Sequence, residues 1–206
     1  MKIILASTSP RRFKILKEKG FEFEVYPVRL DEEKFMKSLP PEEAAKRISL
    51  EKAIMAAKKI KDGVIIGADT VVVYNNTVFG KPRTPEEAVE MLKLLSGKVH
   101  EVITAISIIE VKNGEKCREF VECVKTEVKM MKLSEEEIKA YVNTGEPLDK
   151  AGAYAIQGLG GIFIEWINGC YYNVIGLPIA KLYELLKEIG VTPKWIQQNR
   201  ACEADL

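Results

Sequence analysis

The chain has 206 residues, 47% hydrophobic and 30% charged, with 31 basic side chains against 30 acidic ones. That composition supports a sizeable core and excludes a disordered chain, and its near-zero balance gives no support to a general polyanion binder, so no nucleic-acid partner is expected. The 14 glycines and 9 prolines follow no period, no run reaches the ~18 apolar residues of a membrane helix, and the four cysteines with a single histidine, His100, suit neither a disulfide framework nor a zinc site.

Residues 2–6, KIILA, form an apolar run that predicts a buried strand. Ser9 then stands as an N-cap and Pro10 as the first residue of a helix with Ile15 and Leu16 on its apolar face and Gly20 as its stop. FEFEVY at 21–26 alternates with period two and predicts a second strand. Pro40-Pro41-Glu42-Glu43 opens a long helix to about Ile60, packed through Ala44, Ala45, Ile48, Ala53 and Ala56. VIIGADTVVVY at 64–74 is a strand, Asn75-Asn76 a turn, and Thr77–Phe79 its short return. Thr84-Pro85 caps another helix that ends near Gly97. Residues 102–111 and 118–130 flank Asn113-Gly114, the clearest hairpin in the chain. Ser134 opens a helix to about Gly145; the glycine-rich stretch 151–173 predicts short strands and tight turns; 179–189 is amphipathic and helical. Beyond Gly190 the tail is expected to fray.

Helices alternate with strands early, and a hairpin follows. This predicts an α/β fold with a mixed sheet flanked by helices, without repeats or flexible linkers. We assign one domain to residues 1–190 and a C-terminal tail to 191–206. The start, MKIILASTSPRR, has too short an apolar stretch for a signal peptide, so a soluble, cytoplasmic protein without a membrane partner is expected.

Five segments could carry chemistry. Ser7-Thr8-Ser9-Pro10-Arg11-Arg12 places free backbone N–H groups and two guanidinium groups at one helix start, which suits phosphate; a capped helix with exposed basic residues is the plain alternative. Asp69 interrupts an apolar strand, where a carboxylate is costly unless it is paired or bound, and Asp is scarce here, five against twenty-five Glu. Thr70 follows it, and the two side chains point to opposite faces unless the strand bends, which Gly67 would permit. Glu51-Lys52 on the long helix, Gly80-Lys81-Pro82, and Asp149-Lys150-Ala151-Gly152-Ala153-Tyr154 with Gln157-Gly158 complete the set, each weak alone. One histidine leaves no Ser/His/Asp arrangement. Carboxylates with Lys and Arg suit metal-assisted chemistry on phosphoryl groups.

Taken in order, Leu5–Arg12, Glu51-Lys52-Ala53, Gly67–Val72, Gly80-Lys81-Pro82, His100 with Thr104-Ala105, Asp149–Tyr154 with Gln157-Gly158, and Asn173–Pro178 closely resemble the Maf family, also called septum-formation inhibitor proteins. The resemblance covers roughly residues 1–189. It implies a fold similar to the inosine triphosphate pyrophosphatases, with a long mixed sheet, two lobes and a central cleft. It implies hydrolysis of a nucleoside triphosphate between the α and β phosphates, with a divalent metal such as Mg²⁺ or Mn²⁺. Asp69 matches the proton acceptor and Lys81 the lysine of the GKP motif. Glu51 matches a catalytic carboxylate that would share the metal with Asp69. Ser9, Arg11, Arg12, Lys52, Thr70, Lys150 and Gln157 match substrate-binding positions. Arg12, Thr70 and Gln157 match the branch acting on dTTP and UTP, since the 7-methyl-GTP branch commonly carries Gln beside the Asp. A homodimer is left open. The competing reading is a nucleotide-binding regulator of septum formation and cell division with little turnover.

Overall fold

A computed structural model describes residues 1–198 of the 206-residue chain. In chain order the elements are β1 (Ile3–Ala6), α1 (Pro10–Glu18), β2 (Glu24–Val25), α2 (Glu33–Ser38), α3 (Pro41–Ala57), β3 (Gly63–Tyr74), β4 (Thr77–Phe79), α4 (Pro85–Leu95), β5 (Val99–Lys112), β6 (Glu115–Met130), α5 (Glu135–Asn143), β7 (Ile164–Asn168), α6 (Tyr171–Ile175) and α7 (Ile179–Glu188). Three short 3₁₀ turns, Glu146–Asp149, Ala151–Ala153 and Leu159–Phe163, lie between α5 and β7. The strands form one seven-stranded sheet in the order β2-β1-β3-β5-β6-β7, with β4 also on β3. The β2-β1-β3 part is parallel and the rest antiparallel, so the expected mixed sheet is present.

The first strand shows why the parallel part must be covered on both faces. Ile3 and Leu5 pack with Ile15 and Leu16 of α1 and Leu182 and Leu186 of α7. Ile4 and Ala6, one residue out of phase, pack with Ala53 and Ala56 of α3. The far half of the sheet is filled by α4 and α5, through Leu92, Leu95, Val102, Val128 and Ile138. The β5–β6 hairpin is longer than its sequence pattern indicated, 14 and 16 residues, and turns through Asn113 and Gly114 at φ 53° and 82°. The Asn75-Asn76 turn behaves the same way, with φ 48° and 61°.

One edge of β3 is shared by two strands. β1 pairs with Val64–Gly67 and β4 with Val72–Tyr74, and among the described residues no strand covers 68–71 on that side. The opposite edge pairs with β5 from Gly63 to Val73 without a register shift. This gap in the sheet holds Asp69 and Thr70.

Beyond the longer hairpin, the structure differs from the sequence expectations in several elements. Only Glu24 and Val25 of FEFEVY pair with β1; Phe21 is buried and Phe23 packs on the same core without a ladder, so the alternation reports burial rather than pairing. α2 was not expected, because it buries none of its residues and has no apolar period. α3 ends at Ala57, and Lys59 and Ile60 close it with tighter i−3 bonds to Ala56 and Ala57. Residues 191–198 do not fray: Val191 and Thr192 are buried, Lys194 N–H donates to Gly20 O at 3.0 Å, and Trp195 Nε1 donates to Lys19 O at 3.2 Å. Residues 199–206 of the tail lie outside the described residues.

Candidate active site

The gap in the sheet opens into a cleft whose walls are the segments leaving its two rims. From the end of β1 the chain runs through Ser7, Thr8 and Ser9 into α1; from the end of β4 it runs through Gly80 and Lys81. Pro10 sets the first turn of α1, and Ser9 sits at the N-cap with an extended backbone. Its hydroxyl makes no capping bond, contrary to the expectation, and its N–H is already donated to Ser7 Oγ at 3.1 Å. The N–H groups free at this helix start are therefore those of Arg11 and Arg12. The Gly80 carbonyl accepts from Gly152 N–H at 3.1 Å, which ties the Lys81 segment to the turn that follows Lys150.

Asp69 and Lys52 form the floor. Gly67 lets α3 lie directly on β3, since a Cβ there would stand 2.1 Å from Ser49 O. That contact brings Lys52, 6% exposed, under Asp69, 3% exposed. Lys52 Nζ lies 2.8 Å from Asp69 Oδ1 and 2.7 Å from Glu32 Oε1, bridging two carboxylates. Asp69 Oδ2 is buried and has no partner among the described residues. Burial pushes the Asp69 carboxyl above its ordinary value, and the nearby Glu32 charge adds to this, against the pull of Lys52 and Arg12. For Glu32 burial also acts upward, but Lys52, Lys81 and Arg12 outweigh it and hold the carboxyl below its ordinary value. Two neighbouring acids pushed in opposite directions are the usual sign of divided roles.

Thr70 faces the other side of β3. No bend is needed to bring Asp69 and Thr70 to one cleft: the β3–β5 ladder is regular, Asp69 opposite Ala105 and Thr70 opposite Thr104, and the missing strand exposes both faces. Buried Arg12 donates from Nη2 to Thr70 Oγ1 at 3.0 Å, from Nε to Gly176 O at 2.8 Å, and from Nη1 to Ser7 Oγ at 3.4 Å. Thr70 Oγ1 lies 2.9 Å from Thr104 Oγ1, which in turn donates to Asn173 O at 2.9 Å. Gly176 N–H donates to the same carbonyl at 3.0 Å, so the bonds close a ring from Arg12 back to Arg12. Asn173, 0% exposed, adds bonds to Thr104 N, Val102 O and Thr126 Oγ1.

The third wall is the 3₁₀ region. Lys150 Nζ reaches Glu146 O at 3.3 Å and pairs with Asp149, whose other oxygen lies 3.5 Å from Arg11 across the cleft. The Glu146 carboxylate accepts from Tyr141 OH at 2.7 Å, Leu159 N–H at 3.0 Å and Gly160 N–H at 3.1 Å, and so holds the turn that presents exposed Gln157. Behind that wall Tyr154 OH meets His100 Nε2 at 2.8 Å. His100 is 2% exposed, and burial lowers its pKa to about 4.

Ser9, Arg11, Arg12, Lys52, Asp69, Thr70, Lys81, Lys150 and Gln157, collected from five segments of sequence, all line this one cleft. Glu51 does not. One residue before Lys52, it is turned about 100° around α3, and its carboxylate pairs with Arg47 at 2.5 Å. Glu32 occupies the place beside Asp69 that the sequence reading gave to Glu51. Sequence reasoning missed it because Glu32 lies in an unpatterned segment ahead of α2, without motif or spacing to mark it. Among the described residues no group of three or more His, Cys, Asp or Glu is arranged to hold a metal, and no helix is long and apolar enough to cross a membrane.

The family model of Maf-like proteins matches residues 2–189. A protein of Carboxydothermus hydrogenoformans named dTTP/UTP pyrophosphatase is 50% identical over 190 residues, covering 92% of this chain and 100% of that protein. One of Clostridium tetani with the same name is 48% identical over 193 residues, covering 93% and 99%. Among solved structures, the Staphylococcus aureus Ham1 protein is similar with a TM-score of 0.44 at 15% identity, over 63% of this chain and 72% of that one.

Proposed function

The chain belongs to the Maf family, and from that premise we propose that it is a nucleoside triphosphate pyrophosphatase that hydrolyses dTTP and UTP to the monophosphate and pyrophosphate. The observation that carries the reading is Asp69: a buried carboxylate with one oxygen held by Lys52 and the other unpartnered, set in a cleft whose rims carry Arg11, Lys81 and Lys150. A buried acid with a raised pKa is a better base than an ordinary aspartate.

The phosphates lie against the start of α1, where the Arg11 and Arg12 N–H groups, the Ser9 hydroxyl and the Arg11 side chain converge, with Lys81 and Lys150 opposite. Arg12 spends three of its five N–H groups inside the protein, so its first task is to hold Thr70 and Gly176 in place. Asp69 takes a proton from the water that attacks the α-phosphorus; the bond from that phosphorus to the bridging oxygen breaks, and pyrophosphate departs with the electron pair. Arg11 and Lys81 counter the charge that builds on it. Lys52, locked between two carboxylates, fixes Asp69 against rotation.

The donor set suits a hard divalent cation, Mg²⁺ or Mn²⁺. Such ions are commonly held by one or two carboxylates plus substrate phosphates, and the unpartnered Oδ2 of Asp69 with the Glu32 carboxylate would supply that pair; Glu51 is turned away from it. A bound cation would acidify the attacking water and neutralise phosphate charge. Gln157 and Thr70 read the base: the O4/N3–H edge of thymine or uracil needs a donor facing O4, which the Gln157 amide supplies, and an acceptor facing N3–H. Acting on nucleoside triphosphates, the enzyme would work in the cytoplasm. The regulator reading has no observation of its own in its favour: relatives covering 92% and 93% of the chain are named as enzymes, and two acids beside the phosphates would repel a ligand that was merely bound. Pyrophosphate release from a panel of nucleoside triphosphates, with and without Mg²⁺ or Mn²⁺, tests the reading. Metal-dependent release strongest with dTTP and UTP is expected; binding without release would overturn it.

A further inference from the structure

The ring of hydrogen bonds around Arg12 fixes where each hydroxyl proton lies. Thr104 has one proton, and its 2.9 Å contact with Asn173 O uses it, because a carbonyl has none to give. The 2.9 Å contact between Thr104 and Thr70 also needs a proton, and only Thr70 can supply it. Arg12 Nη2 then donates to Thr70 Oγ1 from the other side. Thr70 is left with its proton committed inward and a lone pair free, at a position that lines the cleft.

From this we infer that Thr104 is a positioning residue for substrate choice: by taking the Thr70 proton it makes Thr70 an obligate acceptor, which admits pyrimidines with an N3–H group and rejects cytosine. Thymine and uracil donate from N3. Cytosine carries a lone pair there, and two acceptors facing each other in a dry site repel and leave each other unsatisfied. The polarity is held from behind. Thr104 is fully buried, its N–H is fixed by Asn173 Oδ1 at 3.1 Å, and Asn173 is itself held by Val102 and Thr126. A rotation that let Thr104 donate to Thr70 would set two oxygens 2.9 Å apart at Asn173 with no proton between them.

The inference rests on the reading that Thr70 faces the base, and the test separates the two. The measurement is the ratio of kcat/KM for UTP to that for CTP, read within each variant so that any loss of folded protein cancels. Thr104→Val frees the Thr70 proton, so Thr70 can donate to cytosine; the ratio should fall by about tenfold, through a rise for CTP. Asn173 O still has the Gly176 N–H, so the variant leaves no carbonyl orphaned. Thr104→Ser keeps the proton relay and should keep the wild-type ratio. Thr70→Val removes the acceptor itself and should lower the ratio through a loss for UTP. If Thr70→Val lowers the ratio and Thr104→Val does not, base reading stands and the polarity relay is overturned. If Thr70→Val leaves the ratio unchanged, Thr70 does not read the base, and the inference falls with that reading.

Discussion

Asp69 and Glu32 share one lysine and are pushed to opposite protonation behaviour. Asp69→Asn keeps the size and loses the base, so kcat should fall about 10²–10⁴-fold. Glu32→Gln should lower kcat and raise the metal concentration needed, whereas Glu51→Gln should leave both near wild type, because the Glu51 carboxylate is spent on Arg47; a large loss in Glu51→Gln would return that residue to the site. The same variant of Asp69 carries a stability signature. A carboxyl raised by folding favours the protonated form, so its contribution is present in acid and lost as pH rises through its folded pKa. Thermal scans should therefore show the Asp69→Asn Tm improving relative to wild type as pH goes from acid to neutral. The sequence made Asp69 legible because an acid inside an apolar strand has few innocent explanations. Glu32 was illegible because the parallel crossover, and no local pattern, delivers it to Lys52.

Elements deliver these side chains through close backbone contact. α3 can carry Lys52 under Asp69 only because Gly67 presents no Cβ to Ser49 O and Ala53. Gly67→Ala should force α3 away from β3, at a cost of roughly 1–3 kcal/mol, and should lower kcat beyond what the loss of folded enzyme explains; activity per folded molecule, with folded fraction taken from circular dichroism, separates the two. Much of this level was readable in advance. The β5–β6 hairpin announced itself through Asn113-Gly114 between β-branched runs, and the α5 start through Ser134, where the structure adds a capping box with Glu137. β2 was read as a strand but too long, and α2 was not readable. One is a two-residue edge whose neighbouring phenylalanines are buried from a loop, and the other buries nothing. The 3₁₀ region between α5 and β7 was read only as turns, since its order comes from the Glu146 carboxylate and not from a period.

At the scale of the whole molecule the mixed sheet follows from the sequence order of helices and strands, and the meeting of five distant segments at one cleft does not. That meeting depends on which strand lies beside which, and residue spacing carries no trace of it. Acid stability is set partly by His100, behind the Tyr154 wall of the cleft. Its imidazole is kept neutral by burial, with a pKa of about 4 against 6.5 in the unfolded chain. Between those values the unfolded state binds the extra proton, so this contribution is complete above about pH 6.5 and lost as pH falls toward 4, up to about 3 kcal/mol. His100→Gln, which cannot titrate, should show a flatter decline of Tm over that window than wild type; identical slopes would mean that His100 is not kept neutral.

The interrupted edge of β3 also makes a reporter out of the backbone. Residues 64–67 and 72–73 have strands on both sides, while 68–71 have one on the β5 side only. In deuterium oxide, amides that point to β5 are locked in the ladder, but those between 68 and 71 that point into the gap have no strand to protect them and should take up label early. A nucleotide seated over the gap would slow their uptake. A few amides in the middle of an interior strand thus become an internal meter of occupancy, readable on unmodified protein without turnover.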